Sequence, residues 1–95
     1  MSLKTTPFDA AKYLDSDETV AAYLTEAFRD GDPALIAAAI GDVARARGMS
    51  QLAKETGVTR EALYQSFSQT GNPTLATMSK VLSAIGMEIT VTPAA

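Results

Sequence analysis

Residues 50–68, SQLAKETGVTREALYQSFS, constrain this chain more than any other stretch. They read as two short helices joined by a very tight turn. Gly57 permits the positive φ that such a turn needs. Ala53 is small where the second helix crosses the first, and Val58 plugs the apolar space beneath the turn. Leu52, Leu63 and Phe67 face inward, toward the helices on either side. These residue types at these offsets describe a helix-turn-helix.

The flanks supply the rest of a bundle. Asp15 and Glu18 have capping-box spacing at the head of DSDETVAAYLTEAFRDG. In that segment Val20, Tyr23, Leu24, Ala27 and Phe28 repeat on one helical face. Gly31 stops the helix. Asp32 and Pro33 restart it as N-cap and first-turn proline. Leu35, Ile36, Ala39, Ile40 and Val43 form the next apolar stripe. Gly41 is an internal glycine, tolerated at ~1 kcal/mol relative to alanine, and suggests a close approach by another helix. Gly48 ends it, and Ser50 and Thr59 are the expected caps of the two helix-turn-helix members. The second member should run over REALYQSFSQ. After Gly71, Asn72 and Pro73 repeat the cap-plus-proline device before TLATMSKVLSAIG, whose stripe is Leu75, Met78, Val81, Leu82 and Ile85. The period then changes. In MEITVTP, Met87, Ile89 and Val91 alternate with Glu88, Thr90 and Thr92, which predicts a short C-terminal β-strand in need of a pairing partner. Upstream, Pro7 keeps the start of TTPFDAAKYL extended, and Phe8, Tyr13 and Leu14 are its apolar anchors. The expectation is a mainly all-α fold, one domain over residues 1–95 with an acidic helical extension at 1–31.

Composition narrows the chemistry. The 95 residues include no cysteine and no histidine, which removes disulfides, thiolate metal sites and the commonest general base. The carboxylates Asp15, Asp17 and Glu18 sit at a helix start, where acidic residues are expected for the helix dipole. No nucleophile–base pair or phosphate-binding glycine loop is visible. The reading is therefore a non-enzyme with no cofactor and no metal. No apolar run spans a membrane and the N-terminus lacks a signal-peptide core, so the expected location is cytoplasmic.

The net charge of −3 hides an asymmetry. Residues 1–32 carry three cationic and seven acidic side chains, whereas residues 33–95 carry five and four. Only the second part suits a phosphate backbone. The acidic first third either aids solubility or faces a basic partner, for which Asp17, Glu26 and Asp30 are the candidate contacts.

On the second helix of the motif the outward positions are Thr59, Arg60, Glu61, Tyr64 and Gln65. Arginine pairs bidentately with guanine, glutamine with adenine, and glutamate accepts from cytosine. Tyr64 suits a thymine methyl or a phosphate, and Glu61 equally suits the positive end of its own helix. Around them, Ser50, Gln51 and Lys54 on the first helix and Ser68, Asn72 and Thr74 in the following loop are candidates for phosphate contact. Arg47 adds charge nearby.

With these residues in place, ALIAAAIGDVARARGMSQLAKETGVTREALYQSFSQTGNPTLATMSKVLSAIGMEITV resembles the addiction-module antidote proteins, the HigA-like antitoxins of the Xre, or lambda-repressor-like, group. PFDAAKYL and AAYLTEAF…DGDPALI extend the resemblance over nearly the whole chain. It implies a lambda-repressor-like helix-turn-helix bundle of about five helices and a homodimer on double-stranded operator DNA. It also implies repression of the protein's own operon and neutralisation of a small basic toxin of the RelE/ParE superfamily. A stand-alone Xre-type repressor without a toxin, and an interaction module without DNA binding, are the alternatives the residues leave open.

Overall fold

The computed structural model describes residues 14–94, with five helices in this order. They are α1 (Asp17–Asp30), α2 (Pro33–Arg47), α3 (Met49–Thr56), α4 (Arg60–Ser66) and α5 (Leu75–Ala84). The extended start expected before Leu14, with Phe8 and Tyr13, lies outside the described residues. Leu14 itself is buried.

The middle helix α2 organises the core. It packs against α1 on one side and against α3 and α5 on the other. A helix with partners on two sides needs a broad buried surface, and the run of small residues in α2 provides it. Ala37, Ala39, Ile40, Gly41, Val43 and Ala44 are all buried. The expected single stripe is therefore too narrow at its centre and too long at its start, because Leu35 is 44% exposed. Gly41 does permit a close approach. A Cβ there would lie 3.0 Å from the Cβ of Phe67, whose ring is buried just beyond α4. Val20, Leu24 and Ala27 of α1, Leu52 of α3, Leu63 of α4, and Val81, Leu82 and Ile85 at α5 complete the core. Phe28 and Leu75, expected in apolar stripes, stay exposed.

Helix starts follow local hydrogen bonding, and three of them shift from their expected residues. Ser16, not Asp15, caps α1 by accepting from the Thr19 N–H at 3.2 Å. Gly48 both closes α2 and opens α3, so Ser50 is inside the first turn of α3 and not its cap. Met49 is buried directly after α2, which draws the helix start forward to it. Thr74, not Asn72, caps α5, accepting from the Thr77 N–H at 3.1 Å while its hydroxyl donates to Thr77 Oγ1. Asp32 and Thr59 cap α2 and α4 as expected.

The C-terminal segment contradicts the strand expectation. Gly86 takes φ +84°, and the Met87 N–H closes α5 by donating to the Leu82 carbonyl at 2.8 Å. Beyond it residues 88–94 make no strand, and the described residues contain none. Alternation supplies a strand's two faces but not the second strand whose backbone must complete the ladder. Met87 and Ile89 instead border a shallow groove with Leu24 and Phe28 of α1, while Val91 is 92% exposed.

Candidate nucleic-acid interface

The α3–α4 pair is built around Gly57. Its φ of +75° is left-handed, and its N–H caps α3 by donating to the Ala53 carbonyl at 3.0 Å. Thr56 folds its hydroxyl back onto the Leu52 carbonyl at 2.7 Å and accepts from the Val58 N–H, so the turn is satisfied locally. Val58 packs half-buried against the core, and Thr59 then caps α4 by accepting from the Ala62 N–H at 3.1 Å. Leu52, Leu63 and Phe67 point inward and are almost fully buried. The inward residues of the motif thus lock α4 by one edge, and the outward residues are free to meet a ligand.

Thr59, Arg60, Glu61, Tyr64 and Gln65 all lie exposed on α4 or at its cap. The Arg60 guanidinium sits over the Tyr64 ring, 5.5 Å from its centroid. That cation–π contact holds the arginine close to the helix surface. Glu61 is in the first turn of α4, where the helix dipole favours a carboxylate. The Thr59 hydroxyl already serves as a cap.

The phosphate candidates divide in the same way. Ser50, Gln51 and Lys54 are exposed on α3, with Gln51 donating to Glu55 at 2.8 Å. Lys54 carries no ion pair among the described residues. Asn72 and Thr74 are exposed in the loop after α4, while Ser68 is half-buried and donates to the Gln65 carbonyl at 2.9 Å. Arg47 is committed elsewhere, because its guanidinium donates to Asp17 at 3.1 Å.

The loop hides a residue that helical periodicity did not flag. A Cβ on Gly71 would collide with the carbonyl oxygens of Gln65 and Ser66. The chain therefore folds back across the end of α4 with no room for a side chain. This return explains why α4 ends at Ser66 and not at Gln69: the Ser68 N–H and hydroxyl both take the Gln65 carbonyl and divert the backbone from the helix. In the sequence, the glycine directly before Asn-Pro is the sign of this return.

A family model described as "Probable addiction module antidote protein" matches residues 4–93. The chain belongs to that antidote family. It is also 46% identical, over 84 residues, to an uncharacterized protein of Haemophilus influenzae, an alignment covering 88% of this chain and 87% of the relative. No solved structure matches it.

The acidic candidates on this antidote protein do not share one face. Glu26 and Asp30 are one turn apart and exposed near the end of α1. Asp17 precedes Glu26 by about two and a half turns, which puts it on the other side of the helix. There it pairs with Arg47. Among the described residues no helix is long and apolar enough to cross a membrane, and no group of carboxylates is placed to hold a metal.

Proposed function

We propose that this antidote protein is a HigA-like member of the Xre group, a cytoplasmic, sequence-specific DNA-binding antitoxin that represses its own operon. The α3–α4 unit carries the reading. Its inward residues are buried, and its outward face presents an arginine, a glutamine, a tyrosine and a capped helix start. Arg60 and Gln65 read base edges, while Glu61 and Tyr64 complete the groove-facing surface with Thr59. Ser50, Gln51, Lys54, Ser68, Asn72 and Thr74 set the register on the phosphates.

Two copies bind one operator. A single α4 covers only a few base pairs, and a two-fold pair presents two such helices about one DNA turn apart, ~34 Å. Exposed apolar side chains on the last helix and the segment after it, Leu75, Ile89 and Val91, supply the surface such a pair needs. The neutralised partner is a small basic toxin of the RelE/ParE superfamily, which suits the acidic surface of α1.

The decisive experiment is a gel-shift titration of the DNA upstream of this gene at rising salt, beside co-expression with the toxin of the same operon. The reading requires a complex that weakens steeply with salt, as counterion release demands. Growth rescue without any DNA complex would leave only an interaction module.

A further inference from the structure

The surface between α1 and α2 contains a groove of about 500 Å³. Its shape follows from residue size. Ala27 on α1 faces Ala38 and Ala39 on α2, so two helices in contact leave a trough where larger residues would have met. One end is closed by the Tyr23 hydroxyl, which donates to Asp42 at 2.5 Å and ties the two walls together. Leu35 stands at the other end, 44% exposed. The floor is apolar, and the rim carries Glu26, Asp30 and Asp42 with the guanidinium of Arg29; Asp42 is already paired with Arg45 at 3.4 Å, which leaves Glu26 and Asp30 as the uncompensated acids.

The rim acids are placed against the preferences of their own helix. Glu26 and Asp30 are like charges at i, i+4, a spacing that costs an isolated helix stability. Asp30 is also the last residue of α1, at the end of the macrodipole that repels a carboxylate. Neither takes part in an ion pair among the described residues. Violations of local rules that no internal contact offsets are where binding surfaces are found.

We infer that this groove is the seat of the toxin, and that it takes a segment with one apolar side chain flanked by lysine or arginine. The inference rests on the antidote reading above and goes further by naming the surface. Charge complementarity selects the occupant. DNA and anionic membranes are repelled by the rim. A second copy would bring the same carboxylates face to face. A basic protein satisfies both the apolar floor and the rim, and its cations relieve the Glu26–Asp30 repulsion. The groove is lined only by α1 and α2, whereas α4 packs chiefly on α3, so toxin and operator are given separate surfaces. Asp17, on the far side of α1 and already paired with Arg47, takes no part.

The test measures binding of the purified operon toxin to the full-length protein by calorimetry, with thermal melting of each variant in parallel. Glu26→Lys with Asp30→Lys should weaken toxin binding by about tenfold or more, since like charges then face each other. The same variant should melt close to wild type, because the i, i+4 repulsion is kept while a lysine at position 30 suits the helix end. Ala38→Arg, at an exposed position, should block the trough with a similar loss. Asp15→Lys with Glu88→Lys changes the net charge equally and should leave binding within about twofold, a small effect typical of exposed charges. Unchanged toxin affinity in both groove variants would overturn the assignment while leaving the antidote reading intact. Failure of the wild-type chain to bind the toxin at all would overturn both.

Discussion

Gly71 lies so close to the Ser66 carbonyl that no side chain fits between them. The chain after α4 doubles back across the helix end, and this contact sets where α4 stops and where the following loop lies. Gly71→Ala must push two backbone carbonyls aside. Overpacking of this kind costs about 1–3 kcal/mol, or more when backbone is the obstacle. The thermal midpoint should fall by roughly 4–8 °C for each kcal/mol in a domain of this size. Scanning calorimetry of the single variant checks it, and an unchanged midpoint would show that the loop has another place to go.

Gly57 offers the contrast. Its φ is +75°, but open space surrounds the position of a Cβ. Only the left-handed backbone penalises Gly57→Ala, by about 1 kcal/mol. Gly57→Asn should cost less, since asparagine tolerates that conformation. Chemical denaturation should therefore rank the variants Gly71→Ala, Gly57→Ala, Gly57→Asn from most to least destabilised.

The Thr59 hydroxyl holds the first turn of α4 through the Ala62 N–H. Thr59→Ala should lose about 1 kcal/mol of stability. Operator affinity should fall with it, because α4 has only seven residues over which to absorb a frayed start. Thr59→Ser, which keeps the cap, should restore both quantities in the same denaturation and gel-shift assays.

Much of this architecture is legible in the residues. Gly57, Val58 and Thr59 specify the turn because each acts locally: a positive φ, a plug and a cap. Asp32–Pro33 is equally local. The cap of α1 escaped because Asp15 and Ser16 are adjacent donor-seeking residues, and only the spacing to the Thr19 N–H separates them. Leu35 and Leu75 match the helical period but sit near helix starts, where the period continues and the packing partner does not. The alternation of residues 87–92 has the pattern of a strand, yet pairing is a property of two segments, and the described chain provides one. At the candidate interface, exposure of Arg60 and Gln65 followed directly from burial of Leu63 and Phe67. The diversion of Arg47 to Asp17, thirty residues away in the chain, did not, since it depends on how α2 ends against α1.

That pair makes a prediction of its own. Asp17 is largely solvated and Arg47 about one-third exposed, so the bridge is worth only about 0.2–1 kcal/mol. Asp17→Asn should scarcely alter the melting temperature. It removes an anion and frees a guanidinium, so non-specific DNA affinity at low salt should rise modestly, with no change in sequence preference. A fall in non-specific affinity would place Asp17 on the wrong side of the electrostatic account.

The proposed homodimer is checked by light scattering, free and on a DNA fragment holding the full proposed operator. Two copies per operator are expected, with Val91→Asp and Ile89→Asp shifting the free protein toward monomer. A single copy at saturation on DNA would contradict the two-fold arrangement.

Whether α4 reads base sequence is decided by comparing two duplexes. Wild type and the Arg60→Ala, Gln65→Ala double variant are titrated, at one salt concentration, against the upstream DNA and against a scrambled duplex of equal length. Wild type should prefer its own DNA. The double variant should lose that preference by about 1–3 kcal/mol for each residue while keeping its affinity for the scrambled duplex nearly unchanged. Equal preference in the two proteins, with both folded, would contradict the claim and move sequence recognition to another surface.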